Sequence, residues 1–566
     1  MITNTVIDAT VHKPPSLSKY TWKTIPWKKV IECVRRLQIR IAKAWSEGQY
    51  KKVKSLQRLL LKSLYARMLA VKRVTDNKGS KTPGVDNILW KTPQSKMRAV
   101  NQLGKGTYTP LPLKRIYILK KNGKKRPLGI PTLPCRSHQA LHLATLEPIA
   151  ETTGDKNSYG FRPNRGTADA IAQCFTVLSQ KSAPQYILEG DIKACFDEIS
   201  HNWMLEHIPM NKNVLRKMLK AGFMEEGIFH ETESGTVQGS LISPTIANMV
   251  LDGIDRHFQM QFGKRLKTHK VHVIRYADDF IITANSKEFL ENEIKPSLTL
   301  FLNARGLRLS TEKTIITHIQ EGFNFLGQTI RKFKEKLIIK PSDKSIASLL
   351  EKARDICNKH KGAKTGYIIG QLNPIIRGWA NYHRHVVSSA TFNKVDNEIH
   401  KILWRWAKRR HPKKSLSWIK DKYFKSHKGR NWVFSNDPDD NKSPPRLFRA
   451  SEIKIKRHIK IKQDANPFDP EWEIYFERRN GNKLRSGNGK NIAKYLLEEQ
   501  SNLCPLCKNE ISLEKSWEYH CKQKWIHGGS CRVNNLTVVH PECHERLHAK
   551  SDNKTGSPIE RALRDA

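Results

Sequence analysis

The sequence predicts a multidomain protein of the α+β class, and three observations lead to that prediction. Its 566 residues are enough for about three or four domains of ordinary size. Short β-rich runs on either side of tight turns, at 115–126 and 271–283, predict antiparallel sheets. Apolar residues at helical spacing, with Lys and Arg between them, predict basic helices over 27–73 and 340–425.

The charge balance indicates a long polyanion as the partner. Lys and Arg total 101 against 53 Asp and Glu, which gives a formal net charge of +48 spread along nearly the whole chain. Phosphate backbones bind such proteins with release of counterions, so we expect binding to weaken steeply with salt. Ribosomal and membrane-surface proteins are also basic, so composition alone does not choose among these classes.

No apolar run reaches the length that a membrane-spanning helix needs, which predicts that the protein has no membrane partner. The first residues carry neither the charged and apolar regions of a signal peptide nor the Arg-rich pattern of a transit peptide. We therefore expect an intracellular protein that is not secreted.

Two adjacent carboxylates, Asp278 and Asp279, stand at the predicted tip of the 271–283 hairpin. A polar turn is the simplest interpretation, but adjacent carboxylates repel one another unless a cation such as Mg²⁺ neutralises them. A second predicted strand ends at Asp191, and a helix is predicted to begin near Ala194. If that strand lies beside the hairpin, Asp191 and Asp278 can bind two Mg²⁺ ions suited to in-line displacement at phosphorus.

Further sequence blocks accompany these carboxylates: Arg-Pro-Leu-Gly-Ile-Pro at 126–131, Tyr-Gly-Phe-Arg-Pro at 159–163 and Gln-Gly-Ser-Leu-Ile-Ser-Pro at 238–244. Together and in this order they resemble a group II intron-encoded reverse transcriptase. The resemblance implies a right-hand polymerase, with fingers and palm built on an antiparallel sheet over 81–335 and an α-helical thumb, or maturase (X) domain, over 336–425. It also implies that Asp191, Asp278 and Asp279 are catalytic.

The same resemblance implies a nucleotide site. The Asn-Gly turn at 122–123 predicts a cationic hairpin, which corresponds to the fingers hairpin of the family. Phe196 would exclude a ribose 2′-hydroxyl. The alternative is that it belongs to the hydrophobic core, which is more common for a phenylalanine beside a strand. Val237 stands where the family usually has Pro. The residues implied to bind the nucleotide are Lys120, Arg126, Phe196, Gln238 and Lys313; a merely solvated hairpin is the alternative for the first two.

The helices around the predicted thumb combine aromatic and basic residues, which suits both helix packing and stacking on RNA bases. We assign Trp379 and Trp404 to the core. The candidates for binding RNA are Arg377, Arg405, Lys408 and Arg410. Residues 1–80 are interpreted as a basic helical N-terminal extension, and 426–495 as a DNA-binding segment and linker that includes the basic run at 454–462.

Five of the ten cysteines lie beyond residue 503, which in a chain without a signal peptide indicates a metal site rather than disulfides. A Cys-x-x-Cys pair is followed by His-x-x-Cys, so we assign Cys504, Cys507, His540 and Cys543 to a structural, tetrahedral Zn²⁺ site. A redox-active Cys pair is the alternative.

The remainder of the 496–566 region resembles a small ββα endonuclease of the HNH type, through His520, Asn535, His544 and His548. In that family His ligands hold one divalent metal ion, another His activates water and the Asn orients this base. Here Cys521 occupies the position of the base, and a thiol of pKa about 8.5 is a poor substitute for imidazole. We therefore expect impaired cleavage. Two alternatives remain: His520 is the base while His544 and His548 bind metal, or the module is only a zinc knuckle.

Taken together, the resemblance implies a multifunctional protein: an RNA-directed DNA polymerase using two Mg²⁺ ions, a maturase that binds its intron RNA, and an endonuclease that serves intron mobility. Its partners would be intron RNA, target DNA and dNTPs, with a homodimer left open. It would act in the bacterial cytoplasm or nucleoid, or in an organelle. The rival hypotheses are a splicing-only maturase and a retron or diversity-generating reverse transcriptase.

Overall fold

The structure is a computed structural model that describes residues 20–103, 108–119, 123, 125–427, 429–435, 445–485 and 489–549. Over these ranges helices alternate with β-sheets, as the α+β class predicts. The strand pairs are antiparallel except that Leu113–Leu119 pairs in parallel with Phe223–Glu225, which the expectation of antiparallel sheets did not include. Among the described helices, none combines the length and the apolar character needed to cross a membrane.

The helices and the strands are each numbered in chain order. The helices are α1 (Trp27–Ser46), α2 (Tyr50–Lys62), α3 (Leu64–Thr75), α4 (Pro93–Gln102), α5 (Leu133–Thr153), α6 (Thr167–Leu178), α7 (Cys195–Glu198), α8 (His201–His207), α9 (Lys212–Leu219), α10 (Ser243–Leu251), α11 (Ile254–Phe262), α12 (Arg265–Thr268), α13 (Lys287–Phe289), α14 (Lys295–Asn303), α15 (Asp343–Lys359), α16 (Thr365–His383), α17 (Ser389–Arg410), α18 (Leu416–Tyr423), α19 (Glu473–Arg485), α20 (Gly489–Glu499) and α21 (Pro541–Ala549). The strands are β1 (Leu113–Leu119), β2 (Lys125–Ile130), β3 (Tyr186–Asp191), β4 (Phe223–Glu225), β5 (Ile228–His230), β6 (His272–Tyr276), β7 (Asp279–Ala284), β8 (Ile315–His318), β9 (Phe323–Phe325), β10 (Gln328–Phe333), β11 (Lys336–Pro341), β12 (Phe424–His427), β13 (Arg430–Phe434), β14 (Glu518–Cys521) and β15 (Leu536–Val539).

Helices α1 to α3 fill the N-terminal region where the apolar spacing predicts helices. Val30, Val34 and Ile41 of α1 are buried against α3 and α5, because they share one face of the helix. Leu59, which the same pattern predicts on an apolar face, is instead 52% exposed on α2. This core includes Leu133 of α5, so it continues beyond residue 80 into the part of the chain that carries β1 and β2.

The central sheet has the strand order β6-β7-β3-β8 with antiparallel pairing, and it positions the predicted carboxylates. Phe280 to Ala284 are all buried, because helices cover one face of the sheet and α6 and the strands β9 to β11 cover the other. Strands covered on both faces are expected to be continuously apolar, which is the pattern of β7. The hairpin predicted at 271–283 is therefore present, and the Asp191 strand lies beside it.

The region after the central sheet is the helical layer α15 to α18, reached through the three-stranded sheet β9-β10-β11. Its core includes Leu349, Phe392 and Leu403. Trp379 and Trp404 pack against this core while remaining partly accessible, so the packing role assigned to them matches the structure. The indole of Trp379 also donates a hydrogen bond to the Ser345 hydroxyl at 3.0 Å.

The C-terminal region consists of α19 and α20 followed by the antiparallel pair β14-β15 and helix α21, which gives the expected ββα order. Helix α19 packs against β14. The region also contacts the N-terminal helix α1, since the Arg35 guanidinium lies 4.2 Å from the ring of Phe468 and 5.4 Å from that of Trp525. The N-terminal helix therefore contacts both the segment before the ββα unit and the ββα unit itself.

Candidate active site and metal centres

Asp191 and Asp279 face each other in register on the neighbouring strands β3 and β7, with Asp278 in the turn that precedes β7. Ala277, in this turn, has a φ of 59°. Residues other than glycine rarely adopt this left-handed backbone conformation, and it often occurs at functional turns. Partial desolvation, together with the charges of Asp278 and Asp191, raises the pKa of Asp279 to about 6, although its side chain reaches solvent. The three carboxylates thus form a concentration of negative charge suited to hard cations.

A buried arginine stabilises the hairpin turn, and it was not among the predicted site residues. Arg275 is 1% exposed, pairs with Asp252, and donates to the carbonyl of Ala277 at 3.2 Å and to Oδ1 of Asn248 at 3.1 Å. Gly160 allows the close approach of the 159–163 loop, because a Cβ there would lie 2.3 Å from the Ala277 nitrogen. The sequence did contain a signal for this role: an arginine inside an apolar strand predicts a buried charge, and such a charge needs a buried partner.

Lys313 contacts the carboxylate of Asp191. Its Nζ donates to Oδ2 of Asp191 at 2.7 Å, and this bond raises the pKa of the ammonium group. Among the described residues, ligand atoms that lie within 4.8 Å of one another occur in two other groups, both in the C-terminal region. The carboxylate oxygens of the central sheet suit Mg²⁺ by their chemistry, and Asp191 is paired with Lys313.

Phe196 and Gln238 line one cavity of about 360 Å³ beside β1 and β2. Arg126 Nε donates to Oε1 of Gln238 at 2.9 Å, and the Gln238 amide donates to the Asp197 carboxylate at 3.3 Å. The structure therefore brings together three of the five residues expected to bind a nucleotide, and it places Lys313 at Asp191. Lys120 lies outside the described residues.

Backbone packing shapes this cavity at Gly235. The residue has φ +81°, and an added Cβ would lie 2.5 Å from the carbonyl oxygen of Asp197. Only glycine meets both requirements without a shift of the backbone. The 235–238 segment is thereby held close to the turn that carries Phe196.

The basic residues of the thumb region fall in different places. Arg405 and Arg410 line a cavity of about 490 Å³ together with Arg354, Lys361 and Arg409, which were not among the predicted RNA-binding residues. Arg410 donates to the carbonyl of Ala363 and stacks on Trp406 at 4.7 Å, so the protein anchors it. Arg354 lies on α15 and Lys361 lies in the turn that follows this helix, and no local sequence motif marks either residue.

The other two predicted RNA-binding residues lie outside that cavity. Lys408 is exposed on α17. Arg377 is exposed on α16, and its guanidinium lies 4.8 Å from the ring of Phe448. The four predicted positions therefore do not form one surface.

The four residues assigned to zinc converge. The sulfur atoms of Cys504, Cys507 and Cys543 and a ring nitrogen of His540 all lie within 4.8 Å of one another, with Cys507 Sγ 3.3 Å from His540 Nδ1. The first two residues lie in a turn, and the last two lie at the start of α21. Three thiolates and one imidazole are a donor set that fits Zn²⁺.

A second group gathers His520, His544 and His548 around Glu477, whose ligand atoms likewise lie within 4.8 Å of one another. All three histidines converge, which is compatible both with three metal-binding imidazoles and with the alternative in which His520 is the base beside His544 and His548. Glu477 belongs to α19, before the predicted module boundary at 496. No local motif marks it, so sequence reasoning could not have found it.

The two remaining endonuclease candidates have structural contacts. Cys521 is 2% exposed, and its side chain packs in the apolar core of the module, where the thiol also interacts with Cys531 and with the Glu477 carboxylate. Its backbone N–H donates to Oε1 of Glu477 at 3.0 Å. The amide of Asn535 accepts from the Gln523 N–H and donates to the carbonyls of Gln523 and Ser530, so it braces a loop.

Three family models match successive parts of the chain. The N-terminal domain of reverse transcriptase matches residues 22–103, reverse transcriptase (RNA-dependent DNA polymerase) matches 118–330, and the group II intron, maturase-specific domain matches 346–424. Their order agrees with the blocks described above. No part of these matches reaches the ββα module.

Individual proteins are similar to parts of the chain. The group II intron-encoded protein LtrA of Lactococcus lactis subsp. cremoris is 33% identical over 46% of this chain, and the match spans only 54% of that relative. Protein YkfC of Escherichia coli is 32% identical over 49% of this chain and 83% of its own length. A telomerase structure from Candida albicans gives a TM-score of 0.32 at 11% identity, over 55% of this chain and 64% of that one. By its sequence matches, the chain belongs to the family of group II intron-encoded reverse transcriptases and maturases.

Proposed function

We propose that the protein is an RNA-directed DNA polymerase with Asp191, Asp278 and Asp279 as its catalytic carboxylates. The observation that carries this proposal is the register of β3 with β7, which sets Asp191 opposite Asp279 beside the turn that holds Asp278. Asp191 and Asp278 would hold two Mg²⁺ ions, which would activate a primer 3′-hydroxyl and stabilise the triphosphate. Arg275 fixes the turn, and Lys313 balances the charge of Asp191.

The substrate class follows from the neighbouring cavity. Gln238 and Phe196 line this cavity, and Arg126, which donates to Gln238, offers further hydrogen-bond donors for an incoming nucleotide. An aromatic ring next to the sugar position excludes a 2′-hydroxyl by its size, which favours dNTPs. RNA is the proposed template because the family is RNA-directed.

The proposed maturase function depends on the basic thumb. Arg354, Lys361, Arg405 and Arg409 line a cavity whose size and charge suit phosphate groups of a folded RNA. Such binding stabilises the intron RNA, while the splicing chemistry belongs to the RNA itself. Intron RNA is thus the principal proposed partner. A homodimer, and a place in a bacterial cell or an organelle, are further expectations of the family.

DNA cleavage for intron mobility is a second candidate function. The convergence of His520, His544 and His548 in a ββα unit favours it, and the buried thiol at Cys521 opposes it. In the family this nick would supply the primer for copying the intron into target DNA. Purified protein with its intron RNA should nick a target duplex if the centre is active. Absence of a nick would leave the polymerase and maturase proposals untouched.

The polymerase proposal is tested by Mg²⁺-dependent incorporation of labelled dTTP on poly(rA) with an oligo(dT) primer. Wild type should extend the primer, and Asp278→Ala should abolish extension. Glu312→Gln, which changes an exposed carboxylate next to Lys313, is the matched control and should remain active. A wild-type protein that binds intron RNA but does not extend the primer would overturn the proposal in favour of a splicing-only maturase.

A further inference from the structure

Glu477 occupies the centre of the histidine group in the C-terminal region. Its Oε2 lies 2.7 Å from Nε2 of His544, 3.0 Å from Nε2 of His548 and 3.4 Å from Nδ1 of His520. Its other oxygen accepts the Cys521 N–H. One carboxylate from α19 therefore faces three imidazoles from β14 and α21.

The group is closed to solvent. The exposed fraction is 2% for Glu477, 5% for His520, 0% for His544 and 8% for His548. A catalytic metal site in a nuclease must keep one coordination position for a DNA phosphate or water, whereas a structural site fills its positions with protein ligands. Four convergent and buried ligands match the structural type.

Hydrogen bonds to residues outside the group orient its ligands, as is usual at metal sites. His544 lies 2.7 Å from Oε2 of Glu518 through Nδ1, which aims Nε2 at the group, and Arg478 holds the same carboxylate oxygen at 3.0 Å. A carboxylate behind a metal-bound imidazole is the usual arrangement. Apart from its 3.4 Å approach to Glu477, the buried Nδ1 atom of His520 has no hydrogen-bond partner among the described residues. A bound cation would give that nitrogen a partner.

We propose that Glu477, His520, His544 and His548 form a closed site for a second zinc ion that fastens the ββα module to α19 and leaves no coordination position for DNA. Three imidazoles and one carboxylate suit Zn²⁺ better than Mg²⁺, which prefers oxygen ligands and retains water. Helix α19 is itself tied to the central domain, because Arg479 pairs with Asp169 of α6 at 2.8 Å. The ion would therefore link the module to the body of the protein.

Zinc content tests the proposal directly. Wild-type protein should contain two zinc equivalents per chain, one for each group of ligands. Glu477→Gln should reduce the content to one, because a neutral amide is a weak zinc ligand. Glu473→Gln is the matched control: Glu473 is also buried, lies one turn earlier on α19 and accepts the Ile526 N–H at 2.7 Å, a bond that Gln preserves. That control should keep two equivalents.

Two results would overturn the proposal: one zinc equivalent in wild type, or two in Glu477→Gln. Primer extension by each variant reports whether the polymerase body is folded, since both glutamates belong to α19 and not to the central sheet. If Glu477→Gln does not fold, zinc K-edge spectra of wild type decide the question. The two sites together predict three sulfur ligands and five nitrogen or oxygen ligands; sulfur ligands with a single imidazole would contradict the second site.

Closure is tested separately from metal content. Cys521→His restores an imidazole at the position of the missing base, yet it should not produce nicking while Glu477 fills the site. Nicking by Cys521→His alone would refute the closed site.

Discussion

Lys313 Nζ lies 2.7 Å from Asp191 Oδ2, so an ammonium group of the protein contacts a carboxylate proposed to bind metal. This ammonium competes with Mg²⁺ for the same oxygen. The Lys313 side chain is 66% exposed, and an exposed pair of this kind contributes at most about 1 kcal/mol, or roughly a fivefold change in affinity. The competition is therefore modest and measurable.

We expect Lys313→Gln to lower the Mg²⁺ concentration for half-maximal primer extension by about two- to fivefold, because it removes the competing cation. The measurement is an Mg²⁺ titration of dTTP incorporation at fixed salt. Lys193→Gln, an exposed change two residues after Asp191, is the control. An unchanged or raised Mg²⁺ requirement in Lys313→Gln would contradict competition and would favour a role for Lys313 in binding the nucleotide.

Phe196→Ala should admit ribonucleotides. The ring lines the nucleotide cavity, and its removal leaves space for a 2′-hydroxyl. The measurement is kcat/KM for UTP relative to dTTP on the same primed template, and the ratio should rise by at least about tenfold, which is about 1.4 kcal/mol of lost discrimination. Phe175→Ala, on the partly exposed face of α6, controls for loss of an aromatic ring elsewhere. Equal discrimination in both variants would remove the steric argument.

The carboxylates of the central sheet could be predicted because local signals mark them. A β-rich run, a tight turn and a returning apolar run place Asp278 at a hairpin tip, and a strand pattern ends at Asp191. Their adjacency, however, depends on the pairing of β3 with β7 across about 90 residues of sequence, which no periodicity specifies. The resemblance to the family supplied that pairing.

Glu477 shows why the histidine group was only partly predictable. Spacing on β14 and α21 identifies the three histidines, but the fourth member arrives through the docking of α19. No motif surrounds Glu477. Glu473 on the same helix looks equivalent in the sequence, and only the packing of α19 against the module distinguishes the two. Cys521 illustrates the converse, because its sequence position suggested chemistry whereas its side chain lies in the module core.

Lowering the pH should destabilise the protein through His142. Burial, with a smaller effect of the neighbouring His138, lowers the pKa of His142 from 6.5 to about 4. The unfolded chain therefore binds more protons between these values, so this contribution to stability is complete above pH 6.5 and is lost as the pH falls towards 4. The loss is at most about 1.4 kcal/mol per pH unit for one such group.

Urea unfolding at several pH values between 4.5 and 7.5 measures this slope. His142→Gln should flatten it, since the buried titrating group is removed, whereas His230→Gln at an exposed position should leave it unchanged. A slope in His142→Gln equal to that of wild type would show that other groups control acid stability.

The thumb cavity should account for part of the salt dependence of RNA binding. Arg405 and Arg409 line it, while Lys408 on the same helix lies outside it. Each lost phosphate contact lowers the slope of log K against log salt by about 1, so Arg405→Gln with Arg409→Gln should lower it by about 2. Lys408→Gln is the matched control for loss of charge on α17. An equal reduction by Lys408→Gln would assign binding to the outer face of the helix instead of the cavity.

Asp169 of α6 joins the central domain to the segment that precedes the ββα module. Its buried carboxylate accepts from His458 Nε2 at 2.8 Å, from the Ile461 N–H at 2.7 Å and from Arg479 Nη2 at 2.8 Å. Asp169→Asn removes the charge that Arg479 needs, and a buried arginine left without its partner typically costs about 3 to 5 kcal/mol. We expect the loss to appear as release of 445–485 from the central domain, because all three donors belong to that segment.

Limited proteolysis followed by mass spectrometry measures this release. Asp169→Asn should be cleaved within 445–485 much faster than wild type while retaining primer extension, since the central carboxylates do not depend on that segment. Asp464→Asn provides the control, because it removes a charge that belongs to the same segment but forms an exposed pair with Lys156. Unchanged cleavage in Asp169→Asn would mean that other contacts, such as Arg165 with the carbonyls of Gln463 and Ala465, are sufficient to hold the segment in place.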